Sequence, residues 1–218
     1  MYEDISQHLK DMLKLKNSPV AVALSNDKPD LEMLDGRMRF CEMLGEVIQN
    51  NRSFCTVSEN HSCDGGACTL GLRAMPESMR SGEFLYKRVG LFGSAMAARR
   101  FFNSNLRVEA GTTKFVSFSP LEDAEFTPDV IVIACSAGSG MRAIEASAYD
   151  AGIAAKGRMG PVCSTVVAAP YLSGNVIYTL GDAGGRKYAK LNDSDVLIGV
   201  PLEKMGPLLH GLEEMIHS

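Results

Sequence analysis

The sequence lacks a long apolar run, a secretory signal and an excess of positive charge, and each absence excludes a class of protein. Its longest apolar stretches cover residues 130–135 and 166–172, far short of the ~20 residues that a membrane-spanning helix needs. Its 26 acidic residues outnumber the 22 lysines and arginines, which disfavours binding to nucleic acid or to an anionic membrane because both need a basic face. The start of the chain, with Glu3 and Asp4, predicts no secretory signal. We therefore expect a cytoplasmic protein that binds neither nucleic acid nor membrane.

Short apolar runs alternate along the chain with segments of helical periodicity, which predicts an α/β or α+β fold. The 218 residues are 45% hydrophobic, as in ordinary globular proteins of one large or two small domains. We divide the chain into a first half, 1–112, and a second half, 113–218. In the second half we expect a further helix that begins after Pro161 and is interrupted by Pro170. Strands are predicted over residues 20–24, 53–57, 88–92, 114–120, 130–134, 176–180 and 196–200, and helices over 4–16, 41–50, 94–103, 140–151 and 202–216.

The two halves share a spacing that indicates an internal duplication. Cys41 precedes Phe54 by 13 positions, as Cys163 precedes Val176. Because a duplicated unit implies pseudo-symmetry, we expect Cys41 and Cys163 to occupy equivalent places in two related α/β halves packed as one compact unit. Each half then continues into a pair of glycines, and the two glycine loops would face each other across one cleft. The pairs are Gly65-Gly66 and Gly184-Gly185.

Cysteines are the main chemical signal of the sequence. In a reducing cytoplasm thiols are more often buried, metal-bound or catalytic than paired in disulfides. Cys63 and Cys68 enclose Gly65 and Gly66, and glycines let a short loop turn two thiolates toward one point. The sequence has neither the C-x₂-C that follows this spacing in plant-type ferredoxins nor any C-x-x-C of the thioredoxin kind. The six cysteines are Cys41, Cys55, Cys63, Cys68, Cys135 and Cys163.

Several short motifs follow one another along nearly the whole chain in a specific order. They are Arg39-Phe40-Cys41, His61-Ser62-Cys63-Asp64-Gly65-Gly66-Ala67, Leu70-Gly71-Leu72, Pro120-Leu121-Glu122-Asp123-Ala124, Pro128-Asp129-Val130, Val162-Cys163-Ser164 and Pro170-Tyr171. Together they resemble the DUF169 family, also called ArCR, which occurs in archaea and anaerobic bacteria. The resemblance implies an anaerobic setting and places Cys41, Cys63 and Cys163 on cysteine positions of the family. Cys55 and Cys135 look peculiar to this sequence, and we interpret them as buried core residues.

The leading hypothesis is a cysteine-ligated metal-binding or iron–sulfur protein of anaerobic metabolism. Soft thiolate ligands favour zinc and iron–sulfur clusters. Cys41, Cys63 and Cys163 would be direct ligands, with Cys68 as a fourth ligand. His61 would be an alternative ligand or a neighbour of the ligands. Three cysteines would leave one coordination position open for a substrate, whereas four would close the site for a structural or electron-transfer role.

A second hypothesis is a soluble module that binds a small anionic metabolite or nucleotide through glycine-rich loops. The loop that contains Gly184 and Gly185 also carries Arg186, whose planar guanidinium suits carboxylate or phosphate. Gly65 and Gly66 would face this loop if the duplication holds, so that the ligand would lie between the two glycine pairs.

A third hypothesis is a thiol-dependent redox enzyme. Cys41 and Cys163 lie near predicted helix starts, which favour the thiolate. The partner would be a small-molecule ligand or an electron-transfer protein, and a homo-oligomer is compatible with the same features. The sequence leaves open the reaction, the substrate, and whether the cysteines meet within one chain or across a dimer.

Overall fold

The computed structural model describes residues 2–216 and has a mixed α/β fold, as predicted. The helices are α1 Tyr2–Leu13, α2 Phe40–Asn50, α3 Asp64–Thr69, α4 Glu77–Arg80, α5 Ala95–Ser104, α6 Ala137–Ser147, α7 Ala169–Ser173, α8 Ala183–Tyr188 and α9 Met205–Ile216. The strands are β1 Val20–Ser25, β2 Phe54–Thr56, β3 Phe115–Pro120, β4 Val130–Ser136, β5 Lys156–Gly157, β6 Ile177–Thr179 and β7 Asp195–Pro201. No helix within residues 2–216 is both long enough and apolar enough to cross a membrane.

All these strands belong to one sheet, in the order β2-β3-β1-β4-β7-β6-β5. Neighbouring strands run antiparallel, except that β5 and β6 are parallel. Strands β1 and β4 lie at the centre and are covered on both faces. This burial explains why both sequences are apolar without interruption rather than alternating with polar residues.

The strands on either side of the β1–β4 pair form two groups with the same internal order, β2-β3-β1 and β6-β7-β4. In the first group Val20 of β1 lies opposite Pro120 of β3, and in the second Val130 of β4 lies opposite Pro201 of β7. Each proline leads into a 3₁₀ turn whose sequence begins Leu-Glu. The two groups are joined where β1 pairs with β4.

The outer strands of the two groups have a matching register as well. Phe54 of β2 lies opposite Phe118, and Ile177 of β6 lies opposite Gly199. Both Phe118 and Gly199 stand two positions before the proline that ends their strand. The correspondence is one of order and register, and the internal duplication itself stays a prediction.

The predicted strand over residues 88–92 is wrong. Phe84–Arg88 is a π-helical segment, and residues 89–94 form no strand. Val89 and Leu91 are exposed, so the apolar run that resembles a strand in the sequence is not covered by a neighbouring strand. The first group is completed instead by β3, which lies beyond the predicted boundary at residue 112.

Helices pack on both faces of the sheet and create two hydrophobic cores. On the first face, α2, α3 and the π-helical segment Ser164–Ala168 pack with Val20 and Val22 of β1. On the second face, α1, α6 and α9 pack with Ala21 and Ile131. Successive residues of a strand point to opposite faces, so β1 contributes to both cores. The candidate site lies on the first face.

Helices at two other predicted positions are confirmed, one of them with a correction. The helix predicted over residues 94–103 is α5, and Ser94 Oγ accepts a hydrogen bond from the backbone N–H of Ala97 at 3.1 Å. The helix after Pro161 is not interrupted at Pro170, which is the second residue of α7. Proline has no backbone N–H to donate, and in a regular helix its ring clashes with the carbonyl four residues before it. The π-helical segment Ser164–Ala168 precedes Pro170, and its hydrogen bonds span five residues instead of four. This wider spacing accommodates the proline without ending the helix.

Both glycine pairs lie in short helices rather than in the predicted loops. Gly65 and Gly66 belong to the first turn of α3, and Gly184 and Gly185 belong to α8. Glycine is a poor helix former, which is why the sequence indicates loops. The start of α8 is capped by Asp182, whose carboxylate accepts a hydrogen bond from the backbone N–H of Gly185 at 2.5 Å.

Candidate functional site

Three cysteines and one aspartate lie at the starts of four helical segments on the first sheet face. Cys41 is the second residue of α2, and Cys63 directly precedes α3. Cys163 directly precedes Ser164–Ala168, and Asp182 directly precedes α8. Helix α2 contacts α8, and α3 contacts the π-helical segment. Segments that are distant in sequence therefore bring three thiols and a carboxylate into one region of a single chain.

Two glycines allow these helix starts to approach closely. A Cβ atom at Gly66 would lie 3.0 Å from Cβ of Phe40, and one at Gly185 would lie 2.3 Å from Cγ2 of Val162. The residues that directly follow Phe40 and Val162 are two of the three cysteines. In this structure Gly66 and Gly185 therefore set the packing of the helices that carry the thiols.

The Cys163 thiol interacts electrostatically with the other members of this group. Its side chain is only 4% exposed, and its pKa is raised well above the ordinary value of a cysteine. Burial is the largest cause, and the charges of Cys41, Cys63 and Asp182 raise the pKa further, while a side-chain hydrogen bond with Thr69 lowers it. Because charge interactions weaken with distance, these effects place the three sulfur atoms in one neighbourhood, which we call the thiol cluster.

The Cys41 thiol is half-buried, and its pKa is raised to about 12. Burial is again the largest cause, followed by the negative charges of Asp182, Cys63 and Glu42, against which the Arg39 guanidinium acts. Arg39 donates a hydrogen bond of 3.1 Å to the Glu42 carboxylate, so its charge is partly neutralised. Cys41 is therefore a protonated thiol at neutral pH when nothing positive is bound beside it.

The thiol cluster does not have the geometry of a site for one metal ion. Within residues 2–216, no group of three His, Cys, Asp or Glu side chains is arranged to hold an ion. A tetrahedral zinc ion with Zn–S bonds of ~2.3 Å would hold its sulfur ligands only ~3.8 Å apart. The three thiols therefore interact electrostatically without meeting at a common ligand distance.

The other three cysteines lie outside the thiol cluster. Cys68 is buried, and its Sγ donates to the carbonyl of Ala74 at 3.3 Å. Its pKa is raised by burial, lowered by Arg73 and raised further by the charges of Asp64 and Cys63, so Cys68 lies near Cys63 but is not among the groups that shift the pKa of Cys163. Cys55 lies in β2, and Cys135 belongs to the core on the opposite face of the sheet. Both Cys55 and Cys135 are buried, as the sequence predicts.

His61 is buried and neutral beside the segment that carries Cys63. Burial, followed by the charge of Arg73, lowers its pKa to about 4. The Thr56 hydroxyl donates to the carbonyl of Val116 at 3.3 Å, so its oxygen is left to accept from Nε2 of His61 at 3.2 Å. Nδ1 of His61 is then an unprotonated acceptor, and it has no hydrogen-bond partner within residues 2–216.

Arg73 holds the segment around Cys63 in place, a role that the sequence analysis missed. Its guanidinium donates to the carbonyls of Ser58 and His61, both at 3.3 Å. It also donates to the Asp64 carboxylate at 2.7 Å. Several hydrogen bonds from one planar group restrain both ends of this segment. Thr69 and Asp182 were likewise not singled out, although an aspartate before a glycine pair is a helix-start signal.

The guanidinium of Arg186, the predicted anion ligand, donates its hydrogen bonds to backbone carbonyls of the connection between β6 and β7 and of the first residue of β7. Its Nη1 donates to the carbonyls of Leu180 at 2.7 Å and Asp195 at 3.0 Å, and its Nη2 donates to the carbonyl of Asn192. Gly184 lies in α8 with Asp182 as the nearest side chain. In this arrangement Arg186 closes the connection between β6 and β7.

Comparison with known proteins assigns a family without a function. The DUF169 family, described as uncharacterised ArCR, matches residues 8–211. The chain is also 29% identical over 216 residues to the uncharacterized protein MJ0308 of Methanocaldococcus jannaschii, covering 95% of this chain and 92% of that protein. No solved structure matches the chain. Because the family match extends over nearly the whole sequence, the chain belongs to the DUF169 family.

Proposed function

We propose that this protein binds an iron–sulfur cluster through Cys41, Cys63 and Cys163. The observation that carries the proposal is the gathering of three thiols from distant segments, in which Cys41 and Cys63 both raise the pKa of Cys163. Thiolates are the usual protein ligands of such clusters. An anaerobic role, which the family resemblance implies, would suit an oxygen-sensitive cluster.

The spacing of the thiols favours a cluster over a single zinc ion. One tetrahedral ion requires all its ligands at one point, and no such group occurs within residues 2–216. In a four-iron cluster each thiolate binds a different iron atom, so the sulfur ligands stand farther apart than around a single ion. Three thiols that share a neighbourhood without touching a common point fit this second arrangement better.

The electrostatics of the site also favour a positively charged group between the thiols. Burial and neighbouring negative charge raise the pKa of Cys41 to about 12 and that of Cys163 well above its ordinary value. A bound metal deprotonates coordinating thiols outright and removes their mutual repulsion. The same raised pKa values disfavour the thiol-dependent redox enzyme, because its nucleophile must be a thiolate near neutral pH.

Three cysteine ligands would leave one iron atom of a four-iron cluster without a thiolate. Cys41 and Cys63 are half-buried rather than fully enclosed, so this side of the site is reachable from solvent. An open iron could bind a substrate as a Lewis acid. A fourth ligand from outside the thiol cluster would instead restrict the site to electron transfer.

Anaerobic reconstitution tests the proposal directly. The purified protein would be incubated with ferrous iron and sulfide under anaerobic conditions, desalted, and analysed for iron, sulfide and its visible absorption. We expect iron and sulfide to be retained together with thiolate-to-iron absorption bands. Cys41→Ala, Cys63→Ala and Cys163→Ala should each lose most of the bound iron, whereas Cys55→Ala and Cys135→Ala should retain it.

Circular dichroism of every variant separates loss of iron from loss of fold. A folded wild-type protein that retains neither iron nor sulfide contradicts the proposal. Retention of zinc alone, in amounts that depend on the same three cysteines, would replace the cluster with a mononuclear site. Equal iron retention by Cys163→Ala and Cys135→Ala would show that the metal is bound elsewhere.

A further inference from the structure

A separate cavity of about 500 Å³ lies between α3, α4 and α5 and is lined by four arginines. The arginines are Arg73, Arg80, Arg99 and Arg107, and Asn103 stands among them. We propose that this arginine pocket binds a small organic anion that carries several phosphate or carboxylate oxygens. The proposal rests on the pocket alone and holds with or without a cluster at the thiols.

The positive charge of the arginine pocket is unusual for this chain. The protein as a whole has a formal net charge of −4, yet four guanidinium groups line one cavity, and Glu109 is the only carboxylate among its lining residues. Arg73 and Arg80 are paired with Asp64 and Glu77, whereas Arg99 and Arg107 form no ion pair within residues 2–216. Like charges gathered around a cavity repel one another, and a bound anion removes that repulsion. The concentration of positive charge in one cavity of a protein with net negative charge therefore points to an acidic ligand.

Two of the arginines have donors that no protein group uses. Arg99 is exposed on α5, and its side chain makes no hydrogen bond or ion pair with any residue that the structure describes. Nε of Arg73 is buried and has no hydrogen-bond partner within residues 2–216. A buried unpaired donor is costly unless something accepts from it. An oxyanion in the cavity would supply an acceptor for these donors.

The other two arginines are oriented by contacts that leave donors for a ligand. Arg107 donates through Nη1 to the carbonyl of Phe102 at 2.8 Å and stacks over the Phe102 ring at 5.2 Å. Arg80 pairs with Glu77 at the exposed rim. A guanidinium has five N–H donors, so each of these side chains can keep its protein contact and still bind an anion.

The size and lining of the arginine pocket define the class of ligand. Pockets for small molecules are commonly about 300–1,000 Å³ in volume, and this one falls within that range. Met75, Val108 and Ala110 add apolar surface beside the arginines. The lining therefore suits a metabolite with a short carbon skeleton and two or more oxyanion groups. Phosphate esters and polycarboxylates share this chemistry, because guanidinium binds both in a bidentate manner.

Titration calorimetry with two probes tests the proposal and identifies the source of the oxyanions. Pyrophosphate represents phosphate esters and citrate represents polycarboxylates, and each would be titrated into the folded wild-type protein and into Arg99→Ala and Arg100→Ala. Arg99 lines the pocket, whereas its neighbour Arg100 is exposed on the same helix outside it. Both substitutions remove one positive charge from the protein. A difference in anion affinity between them therefore measures the direct contact of Arg99 with the anion, and not the change in net charge.

We expect at least one probe to bind the wild-type protein, Arg99→Ala to weaken that binding at least ten-fold, and Arg100→Ala to weaken it less than two-fold. Binding of pyrophosphate alone assigns a phosphate-bearing ligand, and binding of citrate alone assigns a polycarboxylate. Equal weakening by the two variants, or a Kd above ~1 mM for both probes, overturns the proposal. Cys163→Ala should leave this binding unchanged, which separates the pocket from the thiol cluster.

Discussion

The charge of Cys41 raises the pKa of Cys163, although the two residues belong to helical segments on opposite sides of the chain's midpoint. Their proximity follows from the arrangement of the sheet, in which β1 and β4 are adjacent and the strand groups on either side have the same order. Helix α2 and the π-helical segment Ser164–Ala168 both pack against the first face of this sheet, whereas α6, which follows β4 directly, packs on the second face.

Substitution of Gly185 by alanine should disturb the packing at the start of α8. The added Cβ would lie 2.3 Å from Cγ2 of Val162 and 2.7 Å from the Asp182 carboxylate. We expect the free energy of unfolding to fall by about 1–3 kcal/mol, the usual cost of overpacking. Gly184→Ala is the matched control, because its nearest neighbour would lie 3.9 Å away. Urea denaturation should show the control to be neutral or slightly stabilised, since alanine favours helix.

Removal of the Asp182 charge should make Cys41 more reactive. Burial and then the Asp182 carboxylate raise the pKa of Cys41 to about 12, so Asp182→Asn should lower this pKa and increase the thiolate fraction at any pH below it. Asparagine still caps a helix. We expect alkylation of Cys41 by iodoacetamide in the metal-free protein at pH 9 to become about three- to ten-fold faster. Mass spectrometry would follow the reaction, with Asp193→Asn as control, and unchanged rates would contradict the electrostatic coupling.

Cys63 and Cys68 should differ in their effect on metal binding, although they are neighbours in sequence. Cys63 acts on Cys41, Cys163 and Cys68, but the Cys68 thiol itself donates to a backbone carbonyl and lines the arginine pocket. We expect Cys63→Ala to lose most reconstituted iron and Cys68→Ala to retain it. Iron analysis after identical reconstitution measures the difference. Equal loss in both variants would identify Cys68 as a fourth ligand.

Glu122 should make the stability of the fold depend on pH in the acid range, because its carboxylate accepts hydrogen bonds from Ser6 and Lys10 of α1. Although burial raises its pKa, hydrogen bonds from Lys10, Ser18 and Ser6 lower it to about 2. A carboxyl with a lowered pKa in the folded state stabilises the fold above its unfolded pKa, and that stability is lost as the pH falls from about 4.5 to 2. Glu122→Gln should reduce the unfolding free energy at neutral pH by about 1–2 kcal/mol and flatten the acid dependence. Asp123→Asn, which removes an exposed neighbouring charge, should leave both unchanged.

The parts of the fold that depend on local apolar patterns could be predicted from the sequence. Strands β1 and β4 are continuous apolar runs, and α2 shows the periodicity of a helix with one buried face. The family positions of Cys41, Cys63 and Cys163 led to the hypothesis that the three thiols converge, and their role as ligands stays a prediction. These features depend on burial and spacing, which a sequence records directly.

Features that depend on packing between distant segments could not be predicted. Residues 88–92, of which 88–91 are exposed, have the composition of a strand, but a strand forms only where a neighbour completes its hydrogen bonds. Gly66 and Gly185 act through close contacts with Phe40 and Val162, which are far from them in sequence. Arg73, Arg80, Arg99 and Arg107 are spread among other charges and become a group only when α3, α4 and α5 pack.

The contact between Gly185 and Val162 is made close to the main chain, where there is no room for even one added methyl group. The backbone of α8 is consequently held directly against Val162, the residue before Cys163. We therefore expect the chain to remain folded when the cofactor that we propose is removed, so that repeated removal and reconstitution in one sample would measure what the thiols bind.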